Sequence, residues 1–408
     1  MKKIVIKGNK KLSGKISISG SKNAALPIIF SCILIKGVSE IENLPDIGDV
    51  RIALKILEYF GAKISCKEGI TYIDTTSLVY RDPPDHFVEK IRASTYLLGS
   101  CLSRFARCRV MRFGGCNFSL RPIDMHIDAA VSYGARFDGN SLIAERLYPT
   151  EIYFKKASVG ATVNAIIIGS AVKGKTLLHG CAIEPHIDAL IEFLNSAGAN
   201  IIRRDREIEI SGSELSGGKI KIIGDMIEAG SYLALGALCG DVEIDNAPIE
   251  DMTSIFHAFN RLGVSFFIDE NQGITTKVSN PRRATIIADP YPAFPTDLQP
   301  IFAPLMAAFC GGEITDNVWS GRFGYLDALS KFGLKYEREA NAARIYPSSL
   351  HSAVTEAPDL RGGMAALLCA LKAEGISEIY SADRILRGYE DLEQKLSAVG
   401  AEIKIEGY

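Results

Sequence analysis

The chain has 408 residues, 47% of them hydrophobic and 23% charged, with a formal net charge of −2. That length suits two or three domains, and near-neutral charge gives no electrostatic footprint for a nucleic-acid partner. No stretch approaches the ~18 uninterrupted apolar residues of a membrane span, and Met1-Lys2-Lys3-Ile4-Val5 leads directly into polar Gly8-Asn9-Lys10-Lys11 rather than a signal peptide. Nine cysteines without a C-x-x-C pair and six histidines without zinc-like spacing indicate neither a disulfide framework nor a metal. Cys32, Cys101, Cys239, Cys310 and Cys369 fall in apolar helical stretches and read as buried thiols of a cytoplasmic protein.

In chain order, the elements repeat. An apolar residue, a glycine and then apolar-x-apolar recur at Gly61, Gly134, Gly198, Gly263, Gly333 and Gly400, spaced 73, 64, 65, 70 and 67 residues apart. Leu57, Ala130, Leu194, Phe259, Leu329 and Leu396 stand four residues before them. This is helical spacing that ends at a glycine, followed by the alternation of a strand. A fixed period decides architecture, so the chain reads as six units of about 67 residues, divided three and three. Each unit is expected to run strand, buried helix, strand, amphipathic helix, strands. The buried helices are carried by Ala24–Phe30, Ser94–Gly99, Ala165–Ile168, Ser231–Leu235, Ile301–Met306 and Met364–Leu368, which are apolar nearly all round.

Polar residues interrupt this pattern mainly where those helices begin: Lys22-Asn23, Arg92, Ser158-Val159-Gly160, Asp225 with Glu228, Thr296-Asp297, and Asp359 with Arg361. Helix starts present unpaired N–H groups and suit phosphate or carboxylate. Ser158 and the acids fit equally well as ordinary N-caps. Lys22, Arg92 and Arg361 do not, because a cation at a helix start opposes the dipole and calls for an anion. Thirteen residues before the repeat glycines, Arg121 and Arg387 occupy the same place in units two and six, with Arg322 two residues further along in unit five. They suit bidentate phosphate contact, and they also fit surface arginines paired with acids such as Glu390. Cys116 differs from the other cysteines: it lies in a loop, Phe113-Gly114-Gly115-Cys116, near cations. That setting lowers a thiol pKa, although a redox-silent loop cysteine fits the same sequence.

Taken together, Gly20-Ser21-Lys22-Asn23-Ala24-Ala25-Leu26-Pro27, Arg92-Ala93-Ser94, Gly114-Gly115-Cys116, Arg121-Pro122-Ile123-Asp124, Ser158-Val159-Gly160-Ala161-Thr162, Phe294-Pro295-Thr296-Asp297, Asp359-Leu360-Arg361 and Arg387-Gly388-Tyr389-Glu390 resemble the enolpyruvyl transferase family, shared with EPSP synthase. The resemblance is to its branch of UDP-N-acetylglucosamine 1-carboxyvinyltransferases. It implies an α/β fold, a two-domain inside-out α/β barrel of six repeated strand-helix units, with residues 22–229 as one domain and 1–21 with 230–408 as the other. It implies transfer of the enolpyruvyl group of phosphoenolpyruvate to the 3-hydroxyl of UDP-N-acetylglucosamine, with no cofactor or metal. Both partners are small-molecule substrates, with no nucleic acid or membrane.

By motif, Cys116 is then the acid, Asp297 the base, and Lys22 and Arg387 the catalytic cations. Substrate binding falls to Lys22, Asn23, Arg92, Arg121, Pro122, Ile123, Asp124, Met125, Ser158, Val159, Gly160, Asp297, Val318, Arg322, Asp359, Arg361 and Arg387. Departures from the family pattern stand at Asn117–Leu120, Val163, His186 and Ser320-Gly321.

Overall fold

In the computed structural model, which describes residues 2–111, 113–114 and 122–407, all six repeat glycines adopt left-handed backbone, with φ of 105°, 99°, 109°, 82°, 87° and 94°. Gly61 caps the helix Gly48–Phe60, and the next amide, Ala62 N, returns to Leu57 O at 3.0 Å. Ala135 N to Ala130 O, Ala199 N to Leu194 O and Ala401 N to Leu396 O repeat that bond. The apolar residue four before each of these glycines is therefore the carbonyl partner that closes the helix.

The described residues form two compact units: 2–19 with 224–407, and 20–114 with 122–223. The longer unit in sequence range is discontinuous because of strand pairing. Lys2–Lys7 lies antiparallel between Ile376–Tyr380 and Glu402–Gly407, and Leu12–Ser17 lies parallel to Gly240–Asp245. The first residues of the chain thus complete sheets whose other strands all lie beyond residue 239.

Within each unit, helices form the inside and sheets the outside. Lys22–Ser31, Leu97–Phe105 and Val159–Ala171 are the buried helices of one unit; Met226–Cys239, Gln299–Ala308 and Leu360–Lys372 are those of the other. Every residue from Ala161 to Ser170 and from Leu360 to Leu371 is buried, as a helix apolar on all faces requires. Small residues let the helices approach: a Cβ on Gly99 would fall 2.7 Å from Asn164 Oδ1, and one on Gly230 would fall 2.5 Å from Leu298. Among the described residues, five sheets have four strands, each with one parallel pair at an edge and antiparallel pairing elsewhere.

Three details depart from the regular repeat. The sheet of unit two has three strands among the described residues, Arg107–Arg109, Ser141–Ile143 and Arg136–Phe137. The amphipathic helix of unit five is only Leu326–Leu329, continued by a tighter turn at Ser330–Phe332. Cys310 is exposed, in a turn beyond the helix Gln299–Ala308 that donates Sγ to Pro281 O, so it is not the buried helical thiol its neighbours suggest. Cys32, Cys181 and Cys239 are buried, and desolvation pushes each thiol up to about 12.

Candidate active site

In the 20–223 unit, Ser21 caps the helix Lys22–Ser31 by accepting from Ala24 N at 3.4 Å. Lys22 and Asn23 are therefore its first two residues. The Lys22 ammonium lies 3.8 Å from Asp49, a buried carboxylate in the first turn of Gly48–Phe60. The unfavourable position of a cation at a helix start is thus offset by an acid from the neighbouring helix. Arg92 opens the short turn Arg92–Tyr96 and donates to Pro122 O at 3.5 Å, which brings it to the segment Pro122–Ile123 that enters the helix Asp124–Ser132. Asp124 and Met125 are the first residues of that helix. Ser158 is the N-cap of Val159–Ala171 and accepts from Ala161 N at 3.4 Å, leaving Val159 and Gly160 in the first turn. Cys116 and Arg121 lie outside the described residues.

In the other unit, three residues picked out in the sequence come together around one carboxylate. Asp297, 30% exposed, accepts from Arg322 at 2.8 Å on one oxygen and from Arg361 Nε at 3.3 Å on the other. Both arginines are buried, at 5% and 2% exposure. Arg322 also donates to Thr296 Oγ1 at 2.9 Å, and Thr296 donates in turn to Asp316 at 2.6 Å. The second Asp316 oxygen accepts from Val318 N and Trp319 N, each at 2.9 Å, which fixes the loop that carries Val318 and Arg322.

Asp359 is the N-cap of Leu360–Lys372, accepting from Arg361 N at 2.9 Å and Gly362 N at 2.8 Å. It thereby sets the helix start from which Arg361 reaches Asp297. The Arg361 guanidinium also lies over the Tyr389 ring, 5.4 Å from its centroid, and Tyr389 is held by Ser231 at 2.8 Å. Burial alone would lower the Arg361 pKa; Tyr389 and Asp297 outweigh it and raise it. Arg387 is half-buried in the segment before the helix Leu392–Ala398.

The acids at 225 and 228 divide their work. Asp225 caps Met226–Cys239 through Ile227 N and Glu228 N. Glu228, buried, accepts from Ser19 N at 2.8 Å and pairs with Lys395 at 2.8 Å. Desolvation pushes its carboxyl up to about 7, against the opposing pull of Lys395. The sequence motifs assign no role to Asp49, Asp316 and Lys395, and Tyr389 stands among them only within Arg387-Gly388-Tyr389-Glu390. Only Asp316 carried a local signal, an acid two residues before the loop amide that it accepts from.

The model of the family described as EPSP synthase (3-phosphoshikimate 1-carboxyvinyltransferase) matches residues 6–396. The chain is 39% identical to UDP-N-acetylglucosamine 1-carboxyvinyltransferase 3 of Caldanaerobacter subterraneus and 38% identical to UDP-N-acetylglucosamine 1-carboxyvinyltransferase of Clostridium botulinum, covering 99% of both chains in each case. Among solved structures, it is similar to the enolpyruvyl transferase NikO from Streptomyces tendae, with a TM-score of 0.88 at 24% identity over 99% of each chain. It is also similar to EPSP synthase from Acinetobacter baumannii, with a TM-score of 0.74 at 16% identity over the full length of both. The fold of six helix-inside repeats and the full-length identity lead to one conclusion: the chain belongs to the enolpyruvyl transferase family, among its UDP-N-acetylglucosamine 1-carboxyvinyltransferases.

Proposed function

We propose that this protein transfers the enolpyruvyl group of phosphoenolpyruvate to the 3-hydroxyl of UDP-N-acetylglucosamine, with release of phosphate. The observation that carries the chemistry is the Asp297 carboxylate, part-exposed and oriented on both oxygens by Arg322 and Arg361. The reaction needs a proton delivered to the methylene carbon of phosphoenolpyruvate, attack of the acceptor hydroxyl on the adjacent carbon, and later loss of phosphate and of a proton from the methyl group so formed. Asp297 takes the hydroxyl proton, and Cys116 supplies the methylene proton. Lys22, Arg121 and Arg387 bind the phosphoenolpyruvate anion, supported by Arg92, Arg322 and Arg361; fixed cations of this kind stabilise developing charge most when they need not reorganise. Asn23 contacts the sugar, and Pro122–Met125, Ser158–Gly160 and Val318 the nucleotide side. The two domains of this activity are those expected at 22–229 and 1–21 with 230–408, with the second boundary drawn back to 223–224 so that the helix Met226–Cys239 stays whole. The cellular role is cytoplasmic, at the committed step of peptidoglycan precursor synthesis.

Phosphate release from phosphoenolpyruvate, followed with UDP-N-acetylglucosamine and a panel of other nucleotides and nucleotide sugars, tests this. Turnover with UDP-N-acetylglucosamine is expected. Turnover only with another acceptor would overturn the acceptor assignment and point to the departures at 117–120 and 320–321. Fosfomycin should alkylate Cys116, and Cys116→Ser should abolish the adduct by intact mass; undiminished labelling would assign the reactive thiol elsewhere.

A further inference from the structure

A cavity of about 500 Å³ lies between the helix Thr253–Arg261 and the strand Ala284–Ala288, and none of the site residues assigned above lines it. Its floor is apolar: Ala258, Ile286 and Phe294 are buried there. Ile287, 45% exposed, continues that surface to the rim, where His257, Arg261 and Arg282 supply polar groups. Cavities of this size that join an apolar lining to a few convergent polar groups are where proteins hold small molecules.

The two arginines are held in place by backbone carbonyls. Arg282 donates Nε to Arg261 O at 3.1 Å and Nη2 to Asn260 O at 2.8 Å, which closes the last carbonyls of the helix. Arg261 donates Nη1 at 2.8 Å to Thr285 O, on a strand at the edge of its sheet. Helix closure and edge cover account for these three bonds. A guanidinium has five N–H donors, so most of them remain, and neither arginine pairs with a carboxylate among the described residues. Comparable arginines elsewhere are neutralised, Arg51 by Asp46 and Arg203 by Asp188. Cations fixed in this way lose little conformational freedom when an oxyanion arrives, and arginine meets phosphate or carboxylate with two parallel N–H bonds.

We propose that this cavity binds a small oxyanion carried on an apolar ring or chain. Arg261 and Arg282 take the phosphate or carboxylate, and Ile287 and Phe294 the apolar part. The arginines select against cations, and the apolar floor separates such a ligand from a bare inorganic anion. The site stands apart from the enolpyruvyl chemistry and does not rest on the acceptor assignment.

The test uses the full chain labelled with 15N-histidine, with the His257 resonance assigned from His257→Gln. Phenyl phosphate should move that resonance to saturation with a Kd of about 1 mM or tighter, the strength of a single-ring ligand. Benzoate in parallel distinguishes phosphate from carboxylate: saturation by either supports the site, and saturation by neither overturns it. Inorganic phosphate should bind about tenfold more weakly or not at all, since it buries no ring. Equal binding would overturn the ligand class and leave only an anion patch. Arg261→Gln and Ile287→Asp should each raise the Kd of the bound ring compound about tenfold or more, with the other histidine resonances unmoved. Wild-type affinity in either folded variant overturns the proposal. Ile287→Asp changes an exposed side chain, so it decides should Arg261→Gln not fold.

Discussion

The two units are built from one repeat, yet they begin their buried helices with different chemistry. In the 20–223 unit the starts carry hydroxyl caps and cations: Ser21 with Lys22, Arg92, and Ser158. In the other unit they carry carboxylates, Asp225, Asp297 and Asp359, with Arg322 and Arg361 beside them. Carboxylate caps use the helix dipole within the fold. Hydroxyl caps and cations leave the same N-terminal field suited to an external anion. The scaffold thus supplies six equivalent helix starts, one set carrying hydroxyl caps and cations and the other carboxylates, and on this difference rest the proposed roles of anion receptor and base.

Replacing the base should have the largest effect. Asp297→Asn keeps the size but cannot take up a proton, and it turns one of the two arginine-accepting oxygens into a donor, so phosphate release should fall about 10²–10⁴-fold. A loss of less than tenfold would move the base elsewhere and break the contrast. In the receptor unit, Lys22→Met should act mainly on binding, raising the phosphoenolpyruvate KM about tenfold or more; a loss confined to kcat would place Lys22 with the chemistry instead.

The units should also respond to pH with opposite sign. The folded pKa of Glu228 is raised from 4.5 to about 7, so its contribution is complete below pH 4.5 and is lost as pH rises through 7. The folded pKa of His126 is lowered from 6.5 to about 4, so its contribution is complete above pH 6.5 and is lost as pH falls through 4. Each shift corresponds to at most about 3 kcal/mol. The two windows overlap between pH 4.5 and 6.5 with opposite slopes, so in urea unfolding from pH 4 to 8 Glu228→Gln should make stability rise more steeply with pH than in the wild type, and His126→Gln less steeply. A variant whose slope matches the wild type would show that the replaced group titrates alike in folded and unfolded chains.

The scaffold was more legible in the sequence than the site, for a physical reason. A glycine in left-handed backbone and an apolar helix are local facts, readable within one turn. The site depends on pairings across distance. Asp297 and Arg361 were both visible as interruptions, but their contact spans 64 positions. The His126–Asn164 bond spans 38, and neither residue breaks the pattern of its own helix in a way the sequence flags. Asp316 and Lys395 act through partners 20 and 167 positions away, Thr296 and Glu228, which only the fold brings to them. The chemistry proposed for Cys116 and Arg121 rests on motif alone, since both lie outside the described residues.

The smallest effect tests whether the scaffold beneath the contrast is indeed shared. Gly61 in one unit and Gly400 in the other hold φ of 105° and 94°. An added Cβ would meet nothing closer than Ser77 O at 3.5 Å at the first and nothing within 4 Å at the second. Alanine at either position should therefore cost only the left-handed backbone, about 1 kcal/mol, with activity unchanged. Gly263, at φ 82°, is the control: its Cβ would fall 1.8 Å from Asn280 O, so alanine there must also displace backbone and should cost clearly more. Equal small losses at 61 and 400 by urea unfolding would mean that the helix endings of the two units are energetically interchangeable. Unequal losses would mean that the units differ in their frame as well as in the residues mounted on it.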